Sequence, residues 1–142
     1  VVLWMAVIYI GSTDLLASRH TSRIIGPVLR FFFPEITDDT VRAVQVVVRK
    51  AGHVTEYAVL ALLLLRALAP VVSSGACDRG PSRVALVRAW LLATVYAGTD
   101  EFHQSFVSTR DGSVRDVFID SMGAALALVC VALWFRDRDR SH

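Results

Sequence analysis

The sequence predicts an all-α membrane protein: a polytopic helix bundle with about four transmembrane helices and an interfacial amphipathic helix between the first and second. Three observations predict it. Hydrophobic residues make up 54% of the 142 residues and mean hydropathy is +0.51, against an apolar share of about 45–50% in soluble domains. Several apolar segments approach the roughly 20 residues a helix needs to cross hydrocarbon. Ionisable residues gather near the segment ends instead of being spread along them. A chain of this length reads as a single domain over 1–142.

The first element is the apolar run 1–10. It lacks a basic leading segment and a small-residue cleavage site, so it reads as the end of a clipped membrane helix, not a signal peptide. Gly11, Ser12, Thr13 and Asp14 are helix-stopping types and close it. Residues 21–33 set Ile24, Ile25, Val28, Leu29 and Phe32 on one side and Arg23 and Arg30 on the other, the pattern of a helix lying in the membrane interface. Thr37, Asp38, Asp39 and Thr40 form a cap region for a helix over 40–50, which leads towards a span at 54–72. A third span covers 84–98 and reaches about 106 if a polar last turn is allowed, and a fourth covers 117–135. Residues 73–82 form a polar loop, and 136–140 alternate Arg with Asp in a solvated tail.

Charge and cysteine content narrow the function classes. A net charge of +2 without a basic cluster interleaved with aromatics excludes nucleic acid as a partner. Cys77 and Cys130 have neither CxxC nor Cys/His spacing, so no disulfide framework or zinc knuckle is read. Ser105, Ser108 and Ser121 have no nucleophile-elbow setting, which disfavours Ser-His-Asp chemistry. No cofactor is expected, and membrane lipids are the expected surroundings.

With four crossings, the polar start of the second span, the end of the third and the start of the fourth meet at one membrane level. Lys50, His53, Glu56 and Tyr57 follow one another at spacings that share a helix face. Tyr96, Asp100, His103 and Gln104 do the same, with Glu101 beside them, and Asp116, Asp120 and Gly123 form a third stripe. Arg110 and Arg115 lie in the short connection. Gly123 leaves room for a neighbouring backbone to approach. Buried charges in a bilayer face the bundle interior and pair with one another. One reading is therefore an ion-paired lock between helices, for example Arg110 with Asp116 or Lys50 with Glu101. Another is a metal site using His53-x-x-Glu56 and Asp100-x-x-His103. The cations at the same level suit a phosphate or carboxylate ligand at least as well, so no metal is expected.

The run Lys50-x-x-His53-x-x-x-Tyr57-x-x-Leu60, then Tyr96-x-x-x-Asp100-Glu101-x-x-Gln104, then Arg110, then Asp116-x-x-x-Asp120-x-x-Gly123 resembles the VanZ-like membrane proteins. The resemblance covers about 50–127. It implies a multi-pass protein of the bacterial inner membrane linked to glycopeptide (teicoplanin) resistance. It marks Lys50, His53, Tyr57, Glu101, Gln104, Arg110 and Asp116 as site residues, to which the pattern of the residues adds Glu56, Asp100 and Asp120. Asp120 stands where the family leads one to expect Asn, and the Pro expected shortly before Arg110 is missing.

Setting aside Arg49, Lys50, Arg110 and Arg115 as held by site carboxylates leaves the opposite end richer in arginine. The motif end is then extracytoplasmic by the positive-inside rule. The expected function is binding or handling of an anionic lipid headgroup or cell-envelope precursor, with Lys50 and Arg110 on the anion and His53, Glu101 and Asp116 positioning them. The alternative is an enzyme at the membrane interface acting on a lipid or cell-wall substrate, with His53 or Glu101 as general base and Asp116 a further candidate, with or without a metal. A purely structural partner of another envelope protein is a third reading.

Overall fold

Among the described residues of the computed structural model five helices follow one another: α1 (Val2–Ser12), α2 (Arg19–Phe32), α3 (Asp38–Leu68), α4 (Arg83–Gln104) and α5 (Val114–Arg138). The structure describes residues 1–12, 19–68, 80–106, 112–138 and 140, and no strand occurs among them. The helix expected over 40–50 and the span expected from 54 form one 31-residue rod, α3. Its start is capped as the sequence indicated: the Thr37 hydroxyl accepts the N–H of Thr40 at 3.3 Å, and Asp38 and Asp39 sit in the first turn, where the helix dipole favours negative charge. Ser82 caps α4 by accepting the N–H of Ala85 at 3.1 Å.

Helices α3, α4 and α5 pack on one another, and α1 and α2 dock on that trio from outside. Tyr57, Leu60 and Leu65 of α3 fill the core, while on α4 and much of α5 burial is inverted relative to a soluble protein. The α4 positions turned inward are Ala85, Ala89, Ala93 and Ala97, one per turn, while Val84, Val87, Leu91, Leu92 and Val95 are exposed. On α5, Gly123 and Ala124 are buried, and Phe118, Met122, Leu126, Val129 and Leu133 face outward. Small residues inside and bulky apolar residues outside are what lipid-embedded helices require, since close backbone approach, not apolar burial, holds them together. A Cβ on Gly123 would lie 2.8 Å from Val54 Cγ1 and 2.9 Å from the Val54 carbonyl oxygen. The expected close approach of a neighbouring backbone is thus made by α3.

Helices α3 and α5 are long and apolar enough to cross a membrane. Helix α4 has 22 residues, about 33 Å, but carries Arg88, Asp100 and Glu101 within that length. Helix α1 has 11 residues, about 16 Å, about half the hydrocarbon thickness. Two of the expected crossings therefore meet the length and hydropathy requirement. Helix α1 also runs on through Gly11 and Ser12, which the sequence had marked as its stop.

Helix α2 packs beside the part of α3 that precedes Lys50. Gly26 is buried near Val41, and Arg30 bonds Asp38 at 2.5 Å. Of its expected apolar side, Ile24, Val28 and Phe32 stay exposed, together with Phe31 and Phe33.

Candidate functional site

The site is built where the last turn of α4 meets the first turns of α5 against the middle of α3. Local bonding makes that junction tight. The Glu101 carboxylate accepts the backbone N–H of Ser113 at 2.9 Å, which holds the start of α5 against the end of α4. Gly112 is needed beside it. A side chain there would collide with the Glu101 carbonyl oxygen and stand 3.0 Å from Ser105 Cβ.

A cavity opens at this junction, lined by Arg49, Lys50, His53, Glu101, Gln104, Asp116, Ile119 and Asp120. Its volume is about 20 Å³, room for one water or one ion. The Lys50 ammonium donates to the Asp116 carboxylate, joining α3 to α5 at the cavity wall. Deeper, His53 Nδ1 lies 4.0 Å from Asp120 Oδ2. Glu101 and Asp120 are only 6% and 2% exposed, so two carboxylates share a nearly dry floor. One donor atom from each of His53, Glu101 and Asp120 lies within 4.8 Å of the other two, close enough to hold a metal ion.

Behind this cavity lies a second polar cluster with a different character. Asp100 Oδ2 accepts from the Ser12 hydroxyl at 2.9 Å, the Tyr57 hydroxyl at 3.1 Å and Gln104 Nε2 at 2.9 Å. One carboxylate oxygen therefore ties α1, α3 and α4 together. Helix α1 is fastened further by Trp4 Nε1 donating to the Glu56 carbonyl at 3.0 Å and by the Tyr96 hydroxyl donating to the Met5 carbonyl at 2.7 Å. His103 is taken up on that side too, 3.2 Å from the Tyr9 hydroxyl with the rings 4.6 Å apart.

A comparison with protein-family models matches residues 1–135 to VanZ/LLP1. The chain belongs to the VanZ/LLP1 family. Comparison with curated proteins and with solved structures gives no match. The VanZ/LLP1 match extends well beyond the motif region 50–127 and takes in α1 and α2.

Of the residues expected at the site of this VanZ/LLP1 chain, Lys50, His53, Glu101, Gln104, Asp116 and Asp120 line the one cavity. Tyr57 and Asp100 stand behind it, connected through Gln104. Glu56 is half-buried and does not line the cavity. Arg110, like Cys77, lies outside the described residues. Two expectations are corrected. Lys50 pairs with Asp116 instead of Glu101, because α3 and α5 run side by side and Glu101 is engaged by Ser113. The metal-type donors that converge are His53, Glu101 and Asp120 from three helices, instead of the pairs His53/Glu56 and Asp100/His103, and His103 turns towards Tyr9. Arg49, expected to be held by the site carboxylates, also lines the cavity, and Ser12 was missed. Arg49 follows directly from the Lys50 position, whereas no local signal marks Ser12, whose partner is 88 residues away.

Proposed function

We propose that this VanZ/LLP1 protein crosses the bacterial inner membrane with α3, α4 and α5, α1 packing beside them, and that the mouth of its cavity, at Arg49 and Lys50, binds the anionic headgroup of a lipid or lipid-linked envelope precursor. The observation that carries the reading is the level of the cavity. From Lys50 to the end of α3 at Leu68 is about 27 Å of helix, close to the roughly 30 Å of hydrocarbon in a bilayer. A polar cavity at that level, in a bundle with an apolar exterior, is reachable by a molecule whose tail stays in lipid. Arg49 and Lys50 supply the positive charge at its wall, and charge-assisted bonds to phosphate are worth about 1.5–3 kcal/mol each. In this reading the cavity faces outward, α2 lies in the interface, and the ligand class connects the protein to glycopeptide resistance through the envelope.

The test is binding of short-chain phosphatidylglycerol by purified protein in micelles, with zwitterionic phosphatidylcholine, of no net charge, as the control. Wild type should prefer the anionic lipid, and Arg49→Gln and Lys50→Gln should each weaken it by about tenfold, the equivalent of one such contact. Equal affinity for the two lipids, or variants that bind like wild type, would end the reading.

A second reading, turnover of the bound lipid or cell-wall substrate, is favoured by the closeness of His53, Glu101 and Asp120, where one group can act as general base. It requires Glu101→Gln to abolish product formation while leaving lipid binding in place.

A further inference from the structure

We propose that His53, Glu101 and Asp120 bind one divalent cation of the zinc or manganese class. Three observations converge on it. The donor atoms already lie within 4.8 Å of one another, although they come from three different helices. Ligands of a tetrahedral ion at about 2.0–2.2 Å stand roughly 3.3–3.6 Å apart, so side-chain rotation of about 1 Å closes the set. Asp120 Oδ2 is fully enclosed at a residue only 2% exposed, and it has no hydrogen-bond partner among the described residues. Its neighbour, His53 Nδ1, is at 4.0 Å, too far for a hydrogen bond and within the span of two ligands on one ion. The cavity into which these atoms point has the volume of an ion with at most a water.

Charge supports the assignment. Two carboxylates on a nearly dry floor repel each other, and Lys50 at the wall is engaged by Asp116. A cation beside the buried Asp120 carboxylate would offset the cost of keeping that charge out of water. One imidazole with two carboxylates is a nitrogen and oxygen donor set, which suits zinc or manganese better than soft metals. Three protein ligands leave at least one position open. This deepens the headgroup reading, on which its biological use rests: an acidic floor would repel an anionic ligand, and an ion held on that floor would attract one.

The experiment is titration of metal-stripped full-length protein in micelles with zinc or manganese, followed by calorimetry and, for manganese, by electron paramagnetic resonance, with no lipid ligand added. Wild type should take up one ion per chain, and the ion should raise its thermal midpoint in a way that a chelator reverses. His53→Gln, Glu101→Gln and Asp120→Asn should each weaken uptake by at least about tenfold. His103→Gln, on the far side of α4, should bind like wild type. If Asp120→Asn does not fold, the remaining two variants and the chelator-reversible stabilisation decide the matter. Wild type that binds no ion, or equal loss in His103→Gln, overturns the proposal. Phosphatidylglycerol binding, with and without chelator, is read separately. Lipid binding that persists without metal sinks only the bridging role, and metal binding without lipid preference sinks only the headgroup reading.

Discussion

Asp100 and Asp120 are both buried carboxylates in the polar end of the bundle, yet their surroundings give them different work. Asp100 Oδ2 is saturated by donors from three helices, so it is a fastening point. Asp120 Oδ2, like the other Asp100 oxygen, has no hydrogen-bond partner among the described residues, but Asp120 lines the cavity and Asp100 does not, so Asp120 is the one placed to meet a ligand. Gly123, one turn beyond, shows how little slack the arrangement has. In Gly123→Ala the new methyl would meet the Val54 carbonyl oxygen at 2.9 Å, and a backbone atom cannot rotate away. Parting α3 from α5 should cost about 1–3 kcal/mol, measured as a lower thermal midpoint in micelles; an unchanged midpoint would deny the close approach. Residues such as Lys50, His53, Glu101 and Asp116 were legible in the sequence because ionisable groups at helical spacing in apolar segments have few places to go. Their partners were not legible. Whether Lys50 meets Asp116 or Glu101 depends on the relative height of α3, α4 and α5, which no local pattern encodes.

At the scale of the element, α4 is the informative helix. Its alanines at four-residue spacing form the buried side, and the bulky residues between them face outward. Ala93→Leu should therefore destabilise the protein by about 1–3 kcal/mol through overpacking, whereas Leu92→Ala, one residue earlier and half exposed, should leave the midpoint nearly unchanged. Equal effects of the two, measured by fluorescence-detected gel filtration after heating, would contradict the assigned face. The two helices long and apolar enough to cross a membrane, α3 and α5, were readable from apolar length. The alanine side of α4 was not, because an apolar helix with apolar residues all round announces its length without saying which side is inward. The joining of two expected helices into α3 was open for a related reason: Lys50, Ala51, Gly52 and His53 interrupt the apolar run without breaking the backbone, since no proline removes a helical hydrogen bond there.

For the whole molecule, the exposed side chains of α4 and α5 form an apolar belt, and polar groups collect at one end of it. With Cys77 and Cys130 replaced, Glu35→Cys and Ser105→Cys should react with a membrane-impermeant maleimide from one side of the bilayer. Ser82→Cys and Arg138→Cys should react from the other. Labelling of all four from the same side would show that the bundle does not cross. The apolar, membrane-type helices were readable from composition, whereas the docking of α1 depended on bonds from Trp4, Ser12 and Tyr96 that reach across 52 to 91 residues.

The continuity of α3 has a mechanical consequence. Fifteen residues separate Asp38, which Arg30 of α2 grips, from His53, a distance of about 22 Å along an unbroken rod. A strut of this kind does not fold at its midpoint. Lys50 and His53 therefore sit on the same unbroken rod as the residue that holds α2, with no joint between the α2 contact and the cavity wall.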